Sequence, residues 1–169
     1  MKIYLVGFMG CGKTRLGKAF ANQMNYEFVD LDALIESEEE MTISEIFLSK
    51  GEEYFREVER GLLWEIQMEN DLVISTGGGT PCYFDNMDFI LRSGKSVYLR
   101  AEPAFLFSRL KDVRDSRPML RDFDDEELKL FISELLIQRE PFYMRANSHV
   151  EAMNCSVEKI RAALETYER

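Results

Sequence analysis

Gly7-Phe8-Met9-Gly10-Cys11-Gly12-Lys13-Thr14 is a complete G-x-x-x-x-G-K-[ST] loop, set directly after the apolar run Ile3-Tyr4-Leu5-Val6 and before a helical pattern. Such a loop suits a nucleoside triphosphate for a physical reason. Small residues let successive backbone N–H groups turn inward toward phosphate oxygens without a Cβ in the way. Gly7, Gly10 and Gly12 give that clearance. Lys13 brings a point charge within reach of the β and γ phosphates, Thr14 offers a hydroxyl to Mg²⁺, and the opening helix adds the positive end of its dipole. A glycine-rich turn with an incidental Lys is the bland alternative, and it leaves unexplained why all fixed positions and the strand-loop-helix context agree. Gly10, Cys11, Gly12, Lys13, Thr14 and Arg15 are therefore read as the nucleotide-binding set.

Working outward, 169 residues suit one domain, and 46% hydrophobic content with 12 Phe is enough to bury a sizeable core. A formal net charge of −10 argues against a nucleic-acid surface, which needs many Lys and Arg contacts to phosphates. An anionic ligand must then meet a local cluster of positive charge. Cys11, Cys82 and Cys155 form no C-x-x-C pair and are odd in number, which fits a reduced, cytoplasmic protein better than a disulfide framework, and none reads as a metal ligand. No apolar run approaches the length of a membrane span, and the N-terminus leads straight into the first strand without a signal peptide. The expectation is a soluble, intracellular chain with small-molecule partners and no nucleic-acid or membrane partner.

Short β-rich runs alternate with helical patterns, the signature of a parallel sheet with crossover helices. Strands are expected near Lys2 to Val6, Glu27 to Asp30, Leu72 to Ser75, Ser96 to Arg100 and Ser148 to Val150. Helices are expected at Lys13 to Met24, Asp32 to Glu39, Ile43 to Leu48, Glu52 to Glu69, Asn86 to Arg92, Pro103 to Lys111, Asp125 to Tyr143 and Val157 to Tyr167. Thr42-Ile43-Ser44-Glu45 has capping-box spacing, and Gly94 falls where a helix C-terminus calls for a left-handed residue. The charged stretch Asp112 to Asp124, which holds Pro118, is the least regular and reads as a mobile loop over the site.

Asp30-Leu31-Asp32 ends the second strand, at the edge of the sheet where open α/β folds bind ligands. A phosphate loop works with a strand-end carboxylate that holds Mg²⁺. The third strand ends in Ser75-Thr76 without an Asp, so Asp30 is the better candidate. Asp32 either hydrogen-bonds an acceptor hydroxyl or caps the following helix, and the sequence leaves both open. Gly77-Gly78-Gly79 is a tight turn or a stretch where backbone approaches a ligand; its place at a strand's carboxyl end favours the second. Arg56, Arg117 and Arg139 are candidates for a two-pronged grip on carboxylate or phosphate, although any one of them could be a surface ion pair.

Together these residues resemble shikimate kinase over essentially the full chain. The phosphate loop, D-x-D, F-R-x-x-E, G-G-G, R-P-L-L and R-x-P-x-Y segments of that family stand here as Gly7 to Thr14, Asp30 and Asp32, Phe55-Arg56-Glu57-Val58-Glu59, Gly77 to Gly79, Arg117-Pro118-Met119-Leu120 and Arg139-Glu140-Pro141-Phe142-Tyr143. Met119 replaces the usual Leu at little volume change. The resemblance implies an α/β, three-layer P-loop kinase fold with a five-stranded parallel sheet. It implies a core of about 1–31, 61–111 and 125–169, substrate-binding helices at about 32–60 and a lid at about 112–124. It also implies Mg²⁺-dependent transfer of the ATP γ-phosphoryl group to the 3-hydroxyl of shikimate by a cytoplasmic monomer. Arg56 and Arg139 would clamp the shikimate carboxylate, and Asp32 with Gly78 would hold ring hydroxyls. Thr14 and Asp30 would hold the metal. Lys13 and Arg117 would stabilise transferring charge, with Asp32 accepting the proton.

An Arg before the lid stacks on adenine in that family; Arg109 is the match, and Met153 to Ser156 would close the other side of the ring. His149 lacks a second ligand for a metal, Trp64 reads as core, and Glu36 to Glu40 as a solvated helix end. A gluconate-type or nucleoside monophosphate kinase would share the phosphate loop without the other segments together. A silent nucleotide-binding regulator would be expected to have lost Lys13, Asp32 or an anchoring Arg.

Overall fold

The run Ile3-Tyr4-Leu5-Val6 has no polar alternation, which suits a strand covered on both faces. In the computed structural model, which describes residues 1–66, 71–114 and 120–167, all four of these side chains are fully buried in the central strand of the sheet. Five strands, β1 (Lys2–Val6), β2 (Glu27–Asp30), β3 (Leu72–Ser75), β4 (Lys95–Arg100) and β5 (Ser148–Glu151), lie parallel in the order β2-β3-β1-β4-β5. The register pairs Leu5 with Ser75 and Asp30 with Ser75, while Val6 pairs with Tyr98, so the carboxyl ends of β1, β2 and β3 finish level.

Eight α-helices connect them among the described residues. α1 (Lys13–Met24) packs on β2 and β3 and meets α8 (Val157–Tyr167), which covers β4 and β5. α5 (Asn86–Ser93) packs on β4 and against α4 (Gly51–Glu65), and α6 (Pro103–Leu110) packs on α7 (Asp125–Tyr143). α2 (Leu31–Glu39) and α3 (Ile43–Ser49) gather on α4 in a cluster beyond the end of β2. Among the described residues no helix is long and apolar enough to cross a membrane.

The local chemistry behaves as the sequence indicates at most boundaries. Thr42 and Glu45 form the capping box of α3, and a second box, Asp124 with Glu127, opens α7. Trp64 stacks on Phe89 with ring centroids 4.9 Å apart, as a core residue should. Gly94 departs from expectation: its φ of −174° is extended, so no left-handed cap exists there. Space selects glycine instead, because a Cβ would lie 2.6 Å from the Lys2 carbonyl oxygen of β1. The helix expected over Glu52 to Glu69 is α4, Gly51–Glu65, and positions 67–69 of that expectation lie outside the described residues. A short 3₁₀ turn at Thr80–Cys82, absent from the sequence reading, follows the three glycines.

Candidate active site

The sheet order reverses direction at β1 and β3, and the loops leaving their carboxyl ends, Gly7 to Gly12 and Thr76 to Gly79, form the crevice where such sheets bind ligands. Gly7, Gly10 and Gly12 all have positive φ, at 144°, 81° and 102°. Gly7 is doubly constrained, since a Cβ there would meet the Leu99 carbonyl oxygen of β4 at 2.8 Å. Lys13, buried in the first turn of α1, donates to the carbonyl oxygens of Gly7 at 2.7 Å and Phe8 at 2.9 Å. The Thr14 hydroxyl donates to Asp30 Oδ2 at 2.6 Å, joining α1 to the end of β2. A cavity of about 620 Å³ opens over this loop, lined by Gly10, Gly12, Lys13, Thr14, Arg15, Asp30 and, from α6, Arg109 and Leu110. Arg109 is exposed, with its guanidinium 5.7 Å from the Phe105 ring. Residues 153 to 156 are not among those lining this cavity.

A second cavity, of about 700 Å³, adjoins the first and is lined by Arg56, Glu59, Phe47, Phe55, Gly77 to Gly79, Arg121 and Arg139. Asp32, Gly78 and Met9 line both, so they form the partition. Asp30, not Asp32, caps α2, with its carboxylate accepting from the Ala33 N–H, so the capping alternative for Asp32 falls away. Burial pushes the Asp32 carboxyl up to about 6, against the pull of Lys13, and the neighbouring carboxylates Asp30 and Glu59 add to the rise.

The three glycines are required by closeness to other groups. A Cβ at Gly77 would lie 2.7 Å from Asp32 Oδ1 and 2.9 Å from Glu59 Oε1. At Gly78 it would lie 3.2 Å from Arg139 Nη1 and from the Met9 amide nitrogen, and at Gly79 2.6 Å from Arg56 Nη2. One bare turn thus touches the acid, both arginines and the phosphate loop.

Arg56 and Arg139 converge on the second cavity from α4 and α7. Arg56 Nη1 donates to Glu59 Oε2 at 2.7 Å, and Glu59 is completely buried and accepts from the Thr80 hydroxyl as well. Arg139 is 9% exposed, faces the Phe8 ring at 5.8 Å, and has no carboxylate in ion-pair range among the described residues. A buried cation without an internal anion is costly, so a negatively charged ligand is its natural complement. Tyr143, one turn beyond Arg139, donates to the Gly78 carbonyl, tying α7 to the glycine turn. Cys82 stays a thiol, because burial pushes it up to about 11.

Arg117 lies outside the described residues, as do its neighbours 115–119. Glu59, Glu52 and Tyr83 surround Arg56, with Thr80 behind Glu59, but carried no role in the sequence reading; only Glu59, three residues along the same helix face, left a trace there. The run Glu36 to Glu40 is largely exposed, as expected of a solvated helix end, with Glu39 alone half-buried. Glu39 is held by Lys50 Nζ at 2.7 Å and by the Tyr54 hydroxyl, and Glu36 accepts from the Ile43 N–H. His149 makes an edge contact with Tyr98, and no group of three or more metal-ligating His, Cys, Asp or Glu residues occurs among the described residues.

Residues 9–167 match the family described as Shikimate kinase. A shikimate kinase of Phocaeicola vulgatus is 50% identical over 145 residues, 86% of this chain and 83% of that protein. The solved shikimate kinase of Bacteroides thetaiotaomicron superposes with a TM-score of 0.93 at 43% identity, covering 98% of both chains. That of Acinetobacter baumannii, solved in complex with shikimate, gives 0.85 at 34% identity over 98% of this chain and 90% of its own.

Proposed function

The chain belongs to the shikimate kinase family and is an ATP-dependent kinase acting on a hydroxyl of shikimate, and from that premise we propose how its residues divide the work. The 3-hydroxyl is the acceptor, and the products are shikimate 3-phosphate and ADP. The cavity over the phosphate loop takes ATP, with the loop N–H groups and the start of α1 around the phosphates. Lys13 turns from the Gly7 and Phe8 carbonyls to the β and γ phosphates. Arg56 and Arg139 take the shikimate carboxylate, and the Gly78 backbone takes a ring hydroxyl. The new bond joins the acceptor oxygen to Pγ as the bond from Pγ to the bridging oxygen of ADP breaks, and the hydroxyl proton passes to the Asp32 carboxylate.

Thr14 and Asp30 fit a magnesium site, since a hydroxyl and a carboxylate stand side by side at the phosphate loop and Mg²⁺ prefers oxygen donors. Bound there, the ion would neutralise charge on the β and γ phosphates. Both cavities belong to one chain, which supports action as a monomer. Three free thiols support a reducing compartment, the cytoplasm.

The observation that carries this reading is the position of Asp32 in the partition, where one carboxylate faces the phosphate loop on one side and two arginines on the other. Coupled measurement of ADP release tests it. Shikimate should stimulate release by the native chain and fail to do so with Asp32→Asn. Absence of stimulation in the native chain would overturn the reading.

A further inference from the structure

Arg56 is enclosed by more groups than an ion pair requires. Its guanidinium carbon lies 4.0 Å from the centroid of the Tyr83 ring and 4.9 Å from that of Phe55. The Tyr83 hydroxyl donates to Glu52 Oε1 at 2.8 Å, and the same oxygen lies 3.4 Å from both Nε and Nη2 of Arg56. Glu59 holds Nη1 from within, and the Gly79 backbone lies directly against Nη1 and Nη2. Arg56 and Glu59 line the acceptor cavity, whereas Tyr83 and Glu52 do not. The tyrosine therefore reaches a bound acceptor only through the arginine it covers.

A two-pronged contact between guanidinium and carboxylate is planar, so its strength depends on the plane in which the guanidinium is held. Glu59 fixes one nitrogen but leaves the group free to rock about that bond. A ring stacked on its face removes the rocking, and the hydroxyl keeps Glu52 against the Nε and Nη2 edge. We propose that Tyr83 is a positioning residue for the acceptor: by covering one face of Arg56 and tying Glu52 to its edge, it fixes the plane in which that guanidinium meets the acceptor's carboxylate.

The proposal rests on Arg56 being an acceptor contact, and the experiment separates the two. Steady-state kinetics would be measured on the full chain for Tyr83→Leu, Tyr83→Phe, Glu52→Gln, Arg56→Ala and Tyr83→Leu combined with Arg56→Ala, with a thermal melt of each. Tyr83→Leu should raise the shikimate KM about tenfold, as loss of a desolvated cation–π contact implies, while kcat and the ATP KM move less than about twofold. Tyr83→Phe keeps the ring and should raise it only about two- to threefold, with Glu52→Gln similar because the two share one hydrogen bond. In the Arg56→Ala background, Tyr83→Leu should add nothing. An equal rise in both backgrounds, or an unchanged shikimate KM in Tyr83→Leu, overturns the proposal while the reading of Arg56 stands. If Arg56→Ala itself leaves the shikimate KM unmoved, that reading fails and the proposal goes with it. Should Tyr83→Leu not fold, Tyr83→Phe and Glu52→Gln decide: no rise in the shikimate KM of either overturns it.

Discussion

Asp32 is easier to protonate in the folded chain than an ordinary aspartate, because burial against Glu59 and Asp30 outweighs the help of Lys13 and Arg56. Its raised value of about 6 sets two pH responses. As a proton acceptor it must be ionised, so kcat/KM should fall as pH drops through about 6 in a pH-rate profile of the native chain. Stability runs the other way. Between the ordinary 3.8 and about 6 the folded state binds more protons than the unfolded, so stability is lost as pH rises through that window. Asp32→Asn should abolish that loss and melt about 3–6 °C higher at pH 7.5 by calorimetry, equivalent to about 1–2 kcal/mol, even as transfer falls about 100-fold or more. Asp30 allows a separate test, because Asn caps helices as well as Asp does. Asp30→Asn should leave the melt nearly unchanged and raise the Mg²⁺ concentration for half-maximal rate about tenfold, measured by titrating the metal into chelator-treated enzyme. The D-x-D spacing made both carboxylates visible in the sequence, but which one caps α2 depends on chain direction after β2, and that became apparent only with the Ala33 N–H in place.

At the scale of elements, the two glycine loops differ in what a side chain would strike. A Cβ at Gly7 would press on backbone, the Leu99 carbonyl, at a φ of 144° that other residues rarely adopt. A Cβ at Gly79 would press on the end of the flexible Arg56 side chain. Gly7→Ala should therefore lower stability by about 2–3 kcal/mol in denaturant titration, through strain and displaced sheet. Gly79→Ala should fold nearly normally and raise the shikimate KM with little change in that for ATP. The elements were largely legible, because the strands are short apolar runs and some helices carry their own side-chain caps, as Thr42 with Glu45 and Asp124 with Glu127 show. What failed to register was contact between elements. Thr80 reaches Glu59 across 21 residues and Tyr83 reaches Glu52 across 31, and no local periodicity encodes either pairing. Gly94 misled for the same reason, its constraint coming from β1 and not from its own helix.

For the whole molecule, the two cavities open on the same sheet edge and, among the described residues, share only Asp32, Gly78 and Met9, so each ligand stabilises the same folded state. Thermal melts with ADP, with shikimate and with both, each at about 100 times its Kd, should show about 2.7 kcal/mol from each ligand alone and more from the pair. A pair no better than one ligand would mean that the cavities overlap. The fold class was visible early because the phosphate loop fixes the first strand and helix, and the alternating pattern fixes the rest. The convergence of Arg56 from α4 and Arg139 from α7 was implied by resemblance, since residues 83 apart in the chain share no local signal. The turn of Gly77 to Gly79 serves as a common ruler for this assembly, with the acid, the paired cations and the nucleotide cradle all gauged from the same few peptide planes. Refitting the enzyme to a bulkier acid is thus a matter of carving α3 at Ile43 and Phe47, because an atom added on the ruler presses on the acid, a cation or the cradle according to which glycine carries it.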